Sequence, residues 1–372
     1  MPRILTEPPL PSTSPQPSEP DPATSERYSR QILFPGIGAA GQQRLARSHV
    51  AVVGCGATGA ASASLLARAG VGTLTLIDRD FVEMSNLQRQ VLFDEADARD
   101  ALPKAEAARR KIALFNSAVT VHSRISDLVP ANIHELLESA EIILDATDNF
   151  ETRYLINDYA VQQGKPWIYA AAIGSYAATM NILPREESPG STAAPTYEPT
   201  ACLACVFPKP PAGPTDTCDT SGILSTAVNL AASVQVTEAL KYLTGQPGTM
   251  RRSLLSFDLW TNERSEISTG HPDAECEVCS ARVFTHLEGI GRPHITLCGR
   301  NSVQIHEHSR PVDLAAMHLR LSPHGNVRSN DLLLRFERPP YTMTLFTDGR
   351  AIIQGTTDAT IARSLYSRFI GS

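Results

Sequence analysis

His49-Val50-Ala51-Val52-Val53-Gly54-Cys55-Gly56-Ala57-Thr58-Gly59 is the stretch that decides the fold. Its first five residues are mostly apolar and rich in β-branched side chains, as a buried strand requires. The glycines then turn the chain into residues 60–69, small, apolar and suited to a helix. Without Cβ atoms at Gly54, Gly56 and Gly59, the helix start can meet an anion closely, offering free N–H groups and the positive end of its dipole. This predicts an α/β fold, a Rossmann-like mixed sheet with a nucleotide at the turn. Asp78 closes the next strand-like run, residues 74–77, about 20 residues on, where a carboxylate accepts ribose hydroxyls. To this point a nicotinamide dehydrogenase fits equally well.

The following segments separate the two readings. Asp80, the run Ser85-Asn86-Leu87-Gln88-Arg89-Gln90, Lys104, and Asp145-Ala146-Thr147-Asp148-Asn149 follow. Arg89 and Lys104 bring two cations, Asn86 adds an amide donor, and Pro103 suits a helix start just before Lys104. A reacting triphosphate uses that many donors, because charge shifts onto its oxygens in the transition state. A diphosphate joining two nucleosides does not. Asp148 follows the apolar residues 142–144, at an edge where a carboxylate can hold Mg²⁺ on phosphates. The plainer reading is that Asp148 and Asn149 cap a helix over 150–163, while Lys104 and Arg89 solvate a surface. Convergence on one sheet edge favours ATP, and no residue pair is placed for hydride transfer.

These residues also carry a resemblance. Arg27-Tyr28-Ser29-Arg30-Gln31, the Ser85–Gln90 run, Asp145 to Asn149 with Arg153-Tyr154, and Gly164-Lys165-Pro166 resemble the ubiquitin-activating-enzyme-like adenylyltransferases, in particular those that activate molybdopterin-synthase and thiamine-biosynthesis sulfur carriers. The resemblance runs from about Glu26 to Ser280, roughly two thirds of the chain. It implies that Asp78 binds ribose, that Asn86, Arg89 and Lys104 bind phosphates, and that Asp148 holds magnesium. It also implies that Arg30 reaches into a neighbouring subunit's ATP site, and hence a homodimer. The implied reaction is attack by the C-terminal glycine carboxylate of a small ubiquitin-like carrier ending in Gly-Gly on the α-phosphate of ATP. The implied sulfur donor is a cysteine desulfurase or rhodanese. The chain departs from the pattern at Ala57 and Thr58, where relatives more often carry Gly and Leu. Other acceptors, a peptide or a modified tRNA base, and a non-catalytic scaffold remain alternatives.

Seven cysteines fall into groups. Cys202-x-x-Cys205 and Cys276-x-x-Cys279 can supply four thiolates to a structural zinc, and the resemblance implies the same; disulfides within each pair and unligated thiols are the alternatives. Cys218 lies in a polar loop before an apolar helix. There it is a candidate nucleophile, implied by the resemblance but opposed by Asp216 and Asp219, which raise a thiol pKa. Cys55 and Cys298 read as small buried residues.

The rest of the chain sets bounds. Residues 1–24 are dense in Pro, Ser and Thr and read as a disordered tail without the features of a signal or transit peptide, so a cytoplasmic location is expected. A net charge of −6 offers no footprint for nucleic acid. Residues 223–243 form an apolar helix interrupted by Asn229, Gln235, Glu238 and Lys241, hence core or dimer interface and no membrane span. The activating-enzyme domain is expected over 25–280. Residues 281–372 form a small α/β module: strands near 295–297, 303–305, 332–336, 341–346 and 351–354, helices over 313–321 and 359–369, and an Asp348-Gly349 hairpin. A rhodanese is rejected, because Cys298 comes too early in the module. His306 and His308 share a strand face that reads as solvated rather than metal-binding. The module is expected to dock the carrier or a sulfur donor.

Overall fold

The computed structural model describes residues 26–185, 196–209, 221–289, 296–297, 302–305 and 311–371. Cys218, Cys298, His306, His308 and the expected tail lie outside them. The larger sheet comprises β1 (His49–Val53), β2 (Thr73–Ile77), β3 (Thr120–Arg124), β4 (Ile142–Asp145), β5 (Trp167–Ile173), β6 (Tyr176–Ile182), β7 (Ser253–Asp258) and β8 (Glu263–Ser268). Their spatial order is β3-β2-β1-β4-β5-β6-β7-β8. The strands from β3 to β5 pair in parallel, and every pairing beyond β5 is antiparallel. The sheet is therefore mixed, with its topological switch point between β1 and β4.

Successive residues of the central strands are buried in alternate cores, the two-residue period of a strand. Val50, Val52, Leu74, Leu76, Ile142 and Leu144 face one core, with helix Ala57–Ala69 and helix Ser225–Leu243 against them. Ala51, Val53, Ile77 and Ile143 face the other, covered by helix Phe150–Gln163. Strands buried on both faces need the nearly unbroken apolar composition read in the sequence. Helix Ala57–Ala69 begins three residues before the sequence-based start, because Gly56 serves as its N-cap. Helix Ser225–Leu243 is a core element: Gln235 donates to the carbonyls of Asp145 (2.7 Å) and Ile168 (2.8 Å) and accepts from Ser62 Oγ (3.0 Å). Among the described residues no helix is long and apolar enough to cross a membrane.

The second sheet comprises β9 (Thr296–Leu297), β10 (Ser302–Ile305), β11 (Asn326–Ser329), β12 (Leu333–Arg338), β13 (Tyr341–Phe346) and β14 (Ala351–Gln354). It is antiparallel throughout, in the order β11-β12-β13-β14-β10-β9. Helices Leu314–Leu321 and Ala359–Phe369, each capped by an aspartate (Asp313 and Asp358), cover one face. Gly349 takes φ +89° in the β13–β14 hairpin, a conformation that favours glycine. On the opposite face Leu333, Phe346 and Ile352 pack against Phe81 and Ala101, so the module rests on the first domain.

Candidate active site

The register levels the strand ends. Val53 pairs with both Ile77 and Asp145, so the residues after β1, β2 and β4 emerge at one edge. The three glycines there do different things. Gly54 has φ +92°, and a Cβ on it would lie 2.6 Å from the Ala146 carbonyl oxygen. A Cβ on Gly59 would lie 1.8 Å from the Gly54 carbonyl oxygen, so this glycine lets the helix close on the turn. A Cβ on Gly56 would meet nothing within 4 Å, so this glycine borders open space. No side chain caps the helix that starts at Ala57, which leaves its first N–H groups to a ligand.

The Asp78 carboxylate ties the turn to the next loop, accepting from Cys55 N (2.6 Å) and Asp80 N (2.7 Å). Burial raises its pKa, with Lys104 pulling the other way and Asp80 adding to the rise. Lys104, first residue of helix Lys104–Phe115, is 2% exposed; its ammonium lies 3.1 Å from Asp80 and its N–H donates to the Asp80 carbonyl at 2.8 Å. The lysine and Asp80 thus hold each other at this edge. Asn86 is buried; its Oδ1 accepts from Glu83 N (3.1 Å), while its Nδ2 stands 3.5 Å from Ser85 Oγ, long for a hydrogen bond. Arg89 is half-buried and donates to the Ser85 carbonyl at 3.0 Å.

After β4 the chain is fixed by a buried ion pair. Arg153 Nε lies 3.1 Å from Asp145, and its Nη2 donates to Thr147 O (2.6 Å) and Ala170 O (3.2 Å). Thr147 returns its N–H and hydroxyl to Asp145 at 2.9 and 2.7 Å. Asp148 is thereby presented on the exposed side of a hydrogen-bonded loop. Asn149 caps helix Phe150–Gln163, accepting from Thr152 N at 2.8 Å, so the capping reading holds for Asn149. Arg30 lies apart. Its short helix packs where Gln31 donates to the carbonyl of Ala69 (2.7 Å), the end of helix Ala57–Ala69 remote from the turn and about 20 Å from it.

The cysteines assemble as spacing suggested. Cys202, Cys205, Cys276 and Cys279 place their sulfurs within 4.8 Å of one another, with Cys202–Cys276 at 3.6 Å and Cys205–Cys279 at 3.4 Å. All four are free thiols, which removes a disulfide in either pair. A tetrahedral ion with bonds of about 2.3 Å spaces its sulfurs about 3.8 Å apart, so the donor set fits zinc. Asp273 N and Asn157 Nδ2 also point at Cys205 and Cys202 (3.4 and 3.7 Å), as N–H groups do around metal-bound thiolates. The cluster pins the knuckles to helix Phe150–Gln163. Burial pushes the Cys55 thiol up, as expected for an inert core residue.

Sequence reasoning did not foresee two polar assemblies. The Asp145–Arg153 pair has one signal in the sequence, an acid and a base eight residues apart across a strand end and a helix start. The contact of Arg79 with Asp127 and Gln304 had no signal, because its members are up to 225 residues apart.

A doubly wound sheet with an uncapped glycine turn, two half-buried aspartates and an exposed aspartate at its switch-point edge has the form of a nucleotide-binding α/β protein. The chain belongs to the ThiF family, whose profile matches residues 28–278. It is 44% identical over 349 residues to the sulfur carrier protein ThiS adenylyltransferase of Bacillus subtilis (strain 168), covering 93% of this chain and 99% of that protein. It is 36% identical over 255 residues to the adenylyltransferase and sulfurtransferase MOCS3 of Xenopus laevis, covering 68% of this chain but only 53% of that protein. The chain thus spans about half of MOCS3. Among solved structures, E. coli MccB with ATP superposes with a TM-score of 0.56 at 23% identity, over 68% of this chain and 74% of that one, a likeness of fold.

Proposed function

We propose that this protein uses ATP to adenylate the C-terminal glycine carboxylate of a ubiquitin-like sulfur carrier, releasing pyrophosphate, for sulfur transfer in thiamine or molybdopterin biosynthesis. The observation that carries the reading is the level register of β1, β2 and β4, at whose shared end Gly56, Asp78 and Asp148 follow, with Lys104 tied to the same edge through Asp80. The near full-length similarity to a ThiS adenylyltransferase supports a ThiS-type carrier as acceptor. A carboxylate nucleophile is already ionised at neutral pH, so the reaction needs no general base. The work left to the protein is holding the acyl oxygen in line with the α-phosphate and neutralising phosphate charge.

Asp78 would accept ribose hydroxyls on the oxygen lone pairs its N–H partners leave open. The uncapped N–H groups after Gly56, with Asn86, Arg89 and Lys104, would take the phosphates. Asp148 would hold Mg²⁺, which supplies positive charge to the departing pyrophosphate. The four cysteines would hold a structural zinc. Arg30, remote from its own turn, fits the homodimeric reading, in which it completes a partner's site. Cys218 as a nucleophile and a cysteine desulfurase or rhodanese as sulfur donor belong to the same proposal, as does a cytoplasmic location.

The test is ATP–[³²P]pyrophosphate exchange with purified Gly-Gly-terminated carriers. The reading expects exchange that depends on the carrier and disappears when its terminal glycine is deleted. Absence of exchange with every carrier, with ATP binding intact, would move the protein to another acceptor.

A further inference from the structure

The C-terminal module touches the first domain where Asp78 and Asp80 lie. Gln304, on β10 and 7% exposed, donates its Nε2 to Asp127 Oδ2 and accepts at Oε1 from Arg79 Nη1 (3.4 Å). Arg79 Nη1 also lies 2.5 Å from Asp127 Oδ1. Arg79 is the middle residue of Asp78-Arg79-Asp80. Its neighbours face the glycine turn and Lys104, through the Cys55 N–H and the Lys104 ammonium. The seam continues around this contact. Arg350 donates to the Ile125 carbonyl at 2.7 Å, and Phe346 packs with Phe81.

The residue type at 304 matters. A carboxamide donates to a carboxylate and accepts from a guanidinium at once, which neither a carboxylate nor an apolar side chain does. Buried groups of this kind lose heavily when one partner is removed. Joining two segments of the first domain through one side chain of the module therefore restrains Arg79, and with it the backbone between the two aspartates.

We propose that Gln304 is a positioning residue of the nucleotide site, locking the Arg79–Asp127 pair so that Asp78 and Asp80 keep the geometry that receives ATP. The module is then a fixed support of the nucleotide edge. This rests on the reading of that edge as the ATP site, and the test separates the two.

ATP affinity is measured by titration calorimetry on the full chain, which requires no carrier. The variants are Gln304→Leu, Gln304→Glu, Asp127→Asn, the double Gln304→Glu/Asp127→Asn, and Asp78→Asn as the control. Gln304→Leu and each charge-altering single should weaken ATP binding about ten-fold, while the double, which reverses the polarity of the contact, should recover to within about three-fold of wild type. The proposal is overturned if Gln304→Leu binds ATP within about two-fold of wild type while Asp78→Asn loses binding. It is equally overturned if the double is as weak as the singles, since that marks general loosening of the seam. If Asp78→Asn binds ATP normally, the nucleotide reading of this edge falls and takes the proposal with it.

Discussion

The nucleotide edge and the cysteine cluster are each assembled from segments far apart in sequence, yet they are held by opposite means. At the edge, charges satisfy one another within the protein: Lys104 with Asp80, and Arg153 with Asp145. Such an edge needs no ligand to hold its shape. The cluster brings four thiols to a few ångströms with no cationic side chain of the described residues among them, and four thiolates so close repel unless a cation sits between them. One region carries its own counter-charges; the other, under the proposed zinc binding, would import them.

The largest expected effect breaks this comparison directly. Chelation or Cys276→Ser should remove stabilisation on the order of 10 kcal/mol at the cluster. Hydrogen exchange should then show residues 196–209 and 271–287 losing protection while β1, β2 and β4 keep theirs. Unchanged protection with no bound zinc would make the cluster a set of packed thiols. Next comes Arg153→Met, which strands the Asp145 carboxylate. Urea unfolding should show a loss of about 3–5 kcal/mol. A loss below about 1 kcal/mol would mean that Thr147 and Gln235 alone hold the loop.

The smallest effect concerns the outer side of the same sheet. Glu106 accepts from Arg109 Nε and Nη2 at 2.7 Å each, from Arg110 Nε at 2.9 Å and from Ser123 Oγ at 2.9 Å. The Arg109 hydrogen bonds hold its pKa down to about 2 from 4.5, with burial opposing and Arg110 and Ser123 assisting. Because the folded-state pKa is depressed, this stabilisation is fully present above pH 4.5 and lost as pH falls toward 2. Glu106→Gln should therefore cost about 1 kcal/mol at neutral pH after solvent screening, and the gap from wild type should close through that acidic window. A gap independent of pH would assign the effect to packing.

What the sequence displayed depended on whether a physical signal was local. The strand–turn–helix at 49–69 was legible because β-branched residues, glycines and small residues follow in order. The strands of the module were legible from short apolar runs and Asp348-Gly349. β11 was not read, because Asn326–Ser329 holds one apolar residue and is largely exposed. β8, Glu263–Ser268, shows no alternation because it is an exposed edge strand. Cysteine spacing foretold a cluster, since two knuckles need only meet once. The position of Lys104 at a helix start is visible in the sequence, whereas its hold by Asp80, 24 residues away, is not. Nor could it reveal the contact of Gln304 with Asp127 and Arg79, whose existence depends on how the module docks.

The most direct test of the central claim is carrier-dependent ATP–pyrophosphate exchange by Asp148→Ala, with bound zinc and the thermal unfolding midpoint measured on the same preparation. If the exposed aspartate holds magnesium on the triphosphate, exchange should fall at least about 100-fold while zinc content and midpoint stay at wild-type values. Exchange within about two-fold of wild type would contradict the account and place the chemistry elsewhere than at this edge.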